Sequence, residues 1–188
     1  MTSSELRVPR LLGISGSLRR ESLNSAVLAT LQEALAGRAQ LDVFPLETIP
    51  LYDGDLDGEE PPAPVRAFKA AIAACDGIVV CSPEYNYGIP GVLKNAIDWA
   101  SRPGFQSPLV GKPVLMMTAS PASTGGARAQ APIREAFLAT LARVVARPEV
   151  VIASAHRKVA GGRLVDEANL RFALEAVEDL LREIGAAR

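Results

Sequence analysis

Cysteine and histidine are almost missing from this chain. Only Cys75, Cys81 and His156 occur among 188 residues. That is too few for a closed four-ligand zinc site unless carboxylates join in, and too few for a disulfide scaffold. Charge of one sign is also lacking. Twenty Lys and Arg face twenty-one Asp and Glu, a net charge of −1, so the basic excess of a nucleic-acid binder is absent and no such partner is expected. No apolar run approaches the roughly 18 residues of a membrane span, and no signal-peptide core follows Met1–Arg10. A soluble, cytoplasmic protein with reduced thiols and no membrane partner is expected. The fifteen Gly and fourteen Pro are scattered without period, which removes collagen-like and low-complexity readings.

What remains is the balance of an ordinary globular protein, 48% apolar and 22% charged. At about 150 residues per domain, the chain is expected to be a single domain over 1–188. That length is ample for a hydrophobic core. Short apolar runs alternate with longer helical stripes. Residues 10–15 predict a first strand and 22–36 a helix, with Leu23, Val27, Leu28, Leu31 and Leu35 on one face. Residues 41–44 predict a second strand, followed by a Pro/Gly/Asp-rich connection over 45–62 and a helix over 63–75. The continuous β-branched run Ile78-Val79-Val80 marks a strand buried on both faces. Pro90 then starts a helix running to about Ser101.

Residues 114–117 predict a fourth strand, then a Gly-containing loop and a helix ending near Val145. A fifth strand over 148–153, a small turn or hairpin over 157–165 and a last helix over 166–186 complete the pattern. Asp166 and Glu167 sit in that helix's first turn, where the dipole favours negative charge. Five strands alternating with five helices imply a parallel α/β sheet covered on both faces.

Two loops carry chemistry. The first, Ser15-Gly16-Ser17-Leu18-Arg19-Arg20-Glu21-Ser22-Leu23-Asn24-Ser25, joins strand one to helix one, where helix N–H groups and dipole make an anion site. Four serine hydroxyls, an amide and the guanidinium of Arg19 or Arg20 suit a phosphate monoester. The same residues also suit a plain helix start, with Ser22 as N-cap and solvated arginines. Neither a Walker A loop nor G-x-G-x-x-G is present, and Ser17 spoils G-x-S-x-G. A C-x5-R phosphatase motif fails because Cys75 leads to Cys81 and Cys81 to Tyr87. A serine hydrolase would have only His156 as its base.

The second loop, Ser82-Pro83-Glu84-Tyr85-Asn86-Tyr87-Gly88-Ile89-Pro90-Gly91, follows the central strand. Its two tyrosines offer aromatic faces to a ligand, though a surface turn before a Pro-started helix has the same composition. Asp53-Gly54-Asp55-Leu56-Asp57-Gly58 begins like a calcium loop, but its twelfth position is Pro64, where a bidentate glutamate is needed. It is read as a solvated acidic loop. Trp99 is read as core or interface, and His156 as surface or turn.

The segments G-S-L-R-R-E-S-L-N (16–24) and P-E-Y-N-Y-G-I-P-G-V-L-K-N-A-I-D-W (83–99) resemble the NADPH-dependent FMN reductases, a group that includes chromate, quinone and azo-dye reductases. Gly125-Gly126-Ala127-Arg128 is similar to that family as well, and the resemblance runs nearly the whole chain. It implies a flavodoxin-like, doubly wound five-stranded parallel sheet of order 2-1-3-4-5, with FMN as cofactor and NADPH or NADH as donor. By resemblance, Ser17, Arg19, Ser22, Asn24 and Ser25, together with Ser15, hold the FMN phosphate. Pro83, Glu84, Tyr85, Asn86 and Tyr87 run along the isoalloxazine ring, and Ser120 with the turn through Gly125 closes its other side. Arg128 lies beside the site or in an oligomer interface.

No side chain is expected as catalytic acid, base or nucleophile, because the cofactor carries the chemistry. The implied activity passes hydride from NAD(P)H to FMN, then electrons to a quinone, azo, metal-oxyanion or free-flavin acceptor by a ping-pong route. The implied assembly is a homodimer or homotetramer. A flavodoxin-type electron carrier without NAD(P)H turnover is the alternative, and the near-neutral charge weighs against it.

Overall fold

The computed structural model describes residues 7–186; residues 1–6, the start of the N-terminal stretch in which no signal-peptide core is expected, lie outside the described residues, as do 187 and 188. Strands β1 (Arg10–Ser15), β2 (Gln40–Phe44), β3 (Gly77–Ser82) and β4 (Pro113–Ala119) lie parallel in the order β2-β1-β3-β4. The fifth place in the sheet is shared. β5 (Arg143–Val144) pairs with the start of β4, and β6 (Val150–Ile152) pairs with its end, both parallel. The sheet is therefore the flavodoxin-like 2-1-3-4-5 arrangement. Every residue of β3 and β4 is buried, as their unbroken apolar runs require, whereas edge strand β2 is half exposed.

Helices α1 (Leu23–Ala34) and α5 (Glu167–Ala186) cover one face, packing Val27, Leu31, Val177 and Leu180 on Val79 and Leu115. Helices α2 (Ala63–Ala74), α3 (Gly91–Ala100) and α4 (Gln130–Ala139) cover the other, with Phe68, Trp99 and Phe137 on Val80 and Met116. Segments β7 (Val159–Ala160) and β8 (Arg163–Leu164) form the small hairpin expected over 157–165. No helix among the described residues is long and apolar enough to cross a membrane.

Two boundaries differ from the sequence reading. The helix expected to reach Val145 ends at Ala139, and its continuation becomes β5. Ala142 N–H donates to Phe137 O at 3.2 Å and Leu141 N–H to Leu138 O at 2.9 Å. That pair of bonds is a Schellman closure, with Leu141 at φ +63° in the left-handed position usually held by glycine. A leucine there continues the helical stripe in the sequence and hides the stop. Pro90 also sits one place earlier than expected, as the cap before α3 rather than its first residue.

The Pro-rich connection after β2 is pinned rather than loose. The Pro50 carbonyl accepts both Trp99 Nε1–H and Asn95 Nδ2–H at 2.8 Å, while Tyr52 N–H donates to Asn95 Oδ1 at 2.7 Å. The Tyr52 ring stands edge-on to Trp99 at 4.8 Å. Trp99 is wholly buried, so it is core, with its one polar atom satisfied. In the acidic loop, Asp57 pairs with Arg102 at 3.2 Å and Asp53 caps a single 3-10 turn. Replacing Trp99 by Phe keeps an aromatic ring but strips Pro50 O of one donor. We expect Trp99→Phe to lower unfolding stability by about 1–3 kcal/mol, read in urea titration as a lower midpoint at unchanged slope.

Candidate functional site

Five loops leave the carboxyl edge of the sheet side by side. Register sets Ser15 level with Cys81, Ser82 with Thr118, and Ala119 with Ile152. From β1 the chain turns outward to β2, and from β3 it turns the other way to β4. The crevice between these diverging connections is where open α/β sheets bind ligands.

In the loop after β1, Ser22 does cap α1, accepting Ser25 N–H at 3.2 Å from an extended backbone. Capping does not exclude an anion, because the Ser22 O–H remains a donor and the first-turn N–H groups of α1 have no intrahelical partner. Ser15 Oγ lies 2.9 Å from Ser25 Oγ and accepts Ser17 N–H at 3.4 Å. The Ser15, Ser17 and Ser22 hydroxyls are all buried. Arg19 and Arg20 are exposed and make no ion pair among the described residues. Gly16 is required by closeness rather than by its own angles: a Cβ there would stand 2.3 Å from Ser82 Oγ. The result is a cradle of hydroxyls and N–H groups with cations at its rim, suited to a phosphate.

Asn24, expected on the phosphate, has its side-chain amide buried and turned inward. Oδ1 accepts Ala119 N–H at 3.1 Å and the Cys81 thiol at 3.3 Å, while Nδ2 donates to Ala119 O at 3.1 Å. Its side chain ties the first loop to the end of β4. Burial pushes the Cys81 thiol far above the ordinary cysteine range, so Cys81 stays protonated and is no nucleophile.

After β3, Tyr85 and Gly88 exchange both backbone hydrogen bonds, at 3.2 and 3.0 Å. Asn86 and Tyr87 between them both take positive φ, 50° and 64°, the pattern of a type I′ turn. Asn suits that position and Tyr does not, yet Tyr87 is held there. The Arg128 guanidinium lies 4.4 Å from the Tyr87 ring centre, and Arg128 N–H donates to Glu84 Oε2 at 3.0 Å. The Glu84 carboxylate thus faces the start of α4 and leaves only its backbone for a cofactor. Pro83 is buried, whereas Tyr85 and Tyr87 are half or more exposed. They form an aromatic ledge beside the cradle.

After β4, Ser120 Oγ accepts Ala122 N–H at 3.2 Å, and Ser120 O accepts Ala155 N–H at 2.9 Å. Gly125 is buried at φ +60°, with a notional Cβ only 2.4 Å from Val151 Cγ1, so this position excludes any side chain. The structure therefore brings together the three loops to which the sequence assigned a cofactor-binding role. Two further segments join them unforeseen. Phe44–Glu47, after β2, closes a cavity of about 310 Å³ against Ser15, Ser17, Arg19 and Ser25. His156, in the turn after β6, lines a larger one of about 710 Å³ with Arg19, Arg20 and Gly161. Their position after a strand's carboxyl end was the available signal. Among the described residues, no group of three or more His, Cys, Asp or Glu is placed to hold a metal.

With this geometry in place, comparison with known proteins is specific. The family described as NADPH-dependent FMN reductase matches residues 9–157. The chain is 42% identical over 172 residues to a quinone reductase of Escherichia coli, covering 89% of each. It is also 42% identical over 159 residues to an NAD(P)H-dependent FMN reductase of Pseudomonas aeruginosa, covering 84% of this chain and 85% of that one. A solved flavoenzyme NAD(P)H:(acceptor) oxidoreductase from Paracoccus denitrificans superposes with a TM-score of 0.84 at 32% identity, covering 95% of this chain and 98% of the other.

The inward turn of Asn24 has a measurable consequence. Asn24→Ala leaves a buried N–H and a buried C=O of Ala119 without this partner, and we expect a loss of about 2–4 kcal/mol in unfolding stability. A residue that served only to bind phosphate would leave the urea midpoint of the ligand-free protein unchanged.

Proposed function

The chain belongs to the NADPH-dependent FMN reductase family, and we propose that it transfers electrons from NAD(P)H to a quinone, azo compound, metal oxyanion or free flavin by a ping-pong route. It is an oxidoreductase with FMN as cofactor and NAD(P)H as donor, acting on a small-molecule acceptor. One observation carries the finer reading: the buried hydroxyl cradle at the start of α1, rimmed by Arg19, which makes no ion pair among the described residues, opens beside the exposed Tyr85–Tyr87 ledge.

The residues present fit FMN. Ser15, Ser17, Arg19, Ser22 and Ser25, with the first-turn N–H groups of α1, would hold its phosphate, and Asn24 would position that loop through Ala119. Pro83 to Tyr87 would line the ring through backbone groups and the Asn86 amide, and Ser120 with the Gly125 turn would close the other edge. When bound, FMN supplies the hydride-accepting and electron-donating chemistry. Around it the chain contributes binding, orientation and exclusion of water rather than an indispensable acid or base. Cys81 is buried and protonated, Cys75 lies at the far end of β3, and His156 is an exposed residue of the turn after β6.

The ledge is open, so donor and acceptor would enter one pocket in turn. We further propose that residues 1–188 act as one cytoplasmic FMN-binding domain. A homodimer or homotetramer would wall the open side, where Arg128 and Tyr87 are exposed.

Charge-assisted hydrogen bonds contribute about 1.5–3 kcal/mol each. Arg19→Ala should therefore weaken FMN binding roughly ten- to a hundredfold, and FMN should bind far tighter than riboflavin, which lacks the phosphate. Equal affinities for the two in a fluorescence titration would remove the cradle from its role. For turnover, anaerobic mixing of the FMN-loaded protein with NADPH or NADH should bleach the flavin absorbance, and double-reciprocal plots with a quinone should be parallel. Persistent absorbance would mark an electron carrier instead, and intersecting lines would require separate donor and acceptor sites.

A further inference from the structure

The cavity between the start of α1 and the β7–β8 hairpin shares Arg19, Ser22 and Ser25 with the proposed FMN cradle. Its remaining lining includes Arg20, Glu21, His156, Gly161 and Gly162. We propose that this cavity binds the 2′-phosphorylated adenosine end of NADPH, with Arg20 and His156 as the residues that select NADPH over NADH. The proposal rests on the reading of the protein as an FMN enzyme fed by a nicotinamide donor.

Three properties support it. The first is size: about 710 Å³ falls within the range of small-molecule sites. The second is chemistry. Leu23, Ala26 and Ala29 recur every third residue along α1 and, with Val159, give a low apolar wall on which a purine can lie. At its mouth Arg20 is exposed and makes no ion pair among the described residues, and a guanidinium meets phosphate oxygens in bidentate fashion. His156 adds a ring N–H. Glu21 is the single carboxylate of the lining, an acceptor for a ribose hydroxyl and too little to cancel two guanidinium groups.

The third property is rigidity. Leu164 N–H donates to Thr30 Oγ1 at 2.8 Å, Arg163 Nε to Glu33 Oε2 at 2.9 Å, and Val165 N–H to Lys158 O at 2.8 Å. These bonds anchor the hairpin wall to α1 and to the turn that carries His156. A preformed wall spares the ligand the cost of ordering it. Adjacency to the cradle would place the donor's adenosine end beside the proposed flavin-phosphate site.

The test uses FMN-loaded protein, so that the cradle is already filled. Adenosine 2′,5′-bisphosphate and 5′-AMP are titrated calorimetrically, and we expect the bisphosphate to bind at least about tenfold tighter. Arg20→Ala and His156→Gln, both at exposed side chains and checked for an unchanged thermal midpoint, should each weaken the bisphosphate about ten- to a hundredfold, the worth of one charge-assisted hydrogen bond. In kinetics, KM for NADPH should rise by a similar factor without a matching rise for NADH, and Arg20→Lys should recover part of the loss. Equal affinity for the two nucleotides overturns the proposal, as does a parallel rise of both KM values. If Arg20→Ala loosens FMN as much as Arg19→Ala does, the cavity belongs to the flavin phosphate and the proposal fails while the enzyme reading stands. A wild-type protein that does not bind FMN at all overturns that reading itself.

Discussion

Both backbone groups of Ala119, the last residue of β4, are satisfied by one side chain, the amide of Asn24. The same amide oxygen takes the Cys81 thiol one strand away. Ala119 is also level with Ile152 of β6, so a single buried amide links the start of α1, the end of β3 and the outermost pair of the sheet. Unpaired polar groups at that depth are costly, which makes the link strongly preferred over any looser arrangement. The cradle half of the site hangs from it. The serine cradle is held against β4, Ser120 follows directly from Ala119, and the gap between cradle and aromatic ledge is kept narrow enough that Gly16 must be a glycine beside Ser82.

Much of this was legible in the sequence because it rests on local pattern. The buried run in β3 and the stripes of α1 and α5 follow from burial on a sheet. The loop after β1 declares itself by composition. What escaped depends on relations between distant segments. Asn24 reads as a polar residue in a polar loop, and only the fold reveals that Ala119, 95 positions away, needs its amide. The end of α4 escaped for a different reason: Leu141 occupies a left-handed position where glycine would have announced the stop. His156 and the hairpin beyond it carry no motif, and their place beside α1 comes from Thr30 meeting Leu164 across 134 residues. Trp99, ambiguous as a sequence feature, becomes a core residue once Pro50 is seen to need a donor.

Backbone strain is built into the turn beside which the ligand is expected to sit. Asn86 and Tyr87 hold two consecutive left-handed conformations, and each such residue costs on the order of 1–3 kcal/mol when it is not glycine. Three restraints offset that cost: the paired bonds of Tyr85 with Gly88, the Glu84 carboxylate on Arg128 N–H, and the Arg128 guanidinium over the Tyr87 ring. Relaxing the turn would move the exposed tyrosine face, so the strain buys a fixed ledge at a fixed distance from the cradle. The two halves of the site are therefore rigid by different means. The cradle is locked from below by a buried amide, and the ledge is clamped from the side by a charged residue of the next loop. Arg19 and Arg20, the adjacent cations at the rim, are left without ion-pair partners among the described residues. Two adjacent guanidinium groups at a helix start, beside a cradle of hydroxyls, are the arrangement on which the proposed binding of anionic ligands rests.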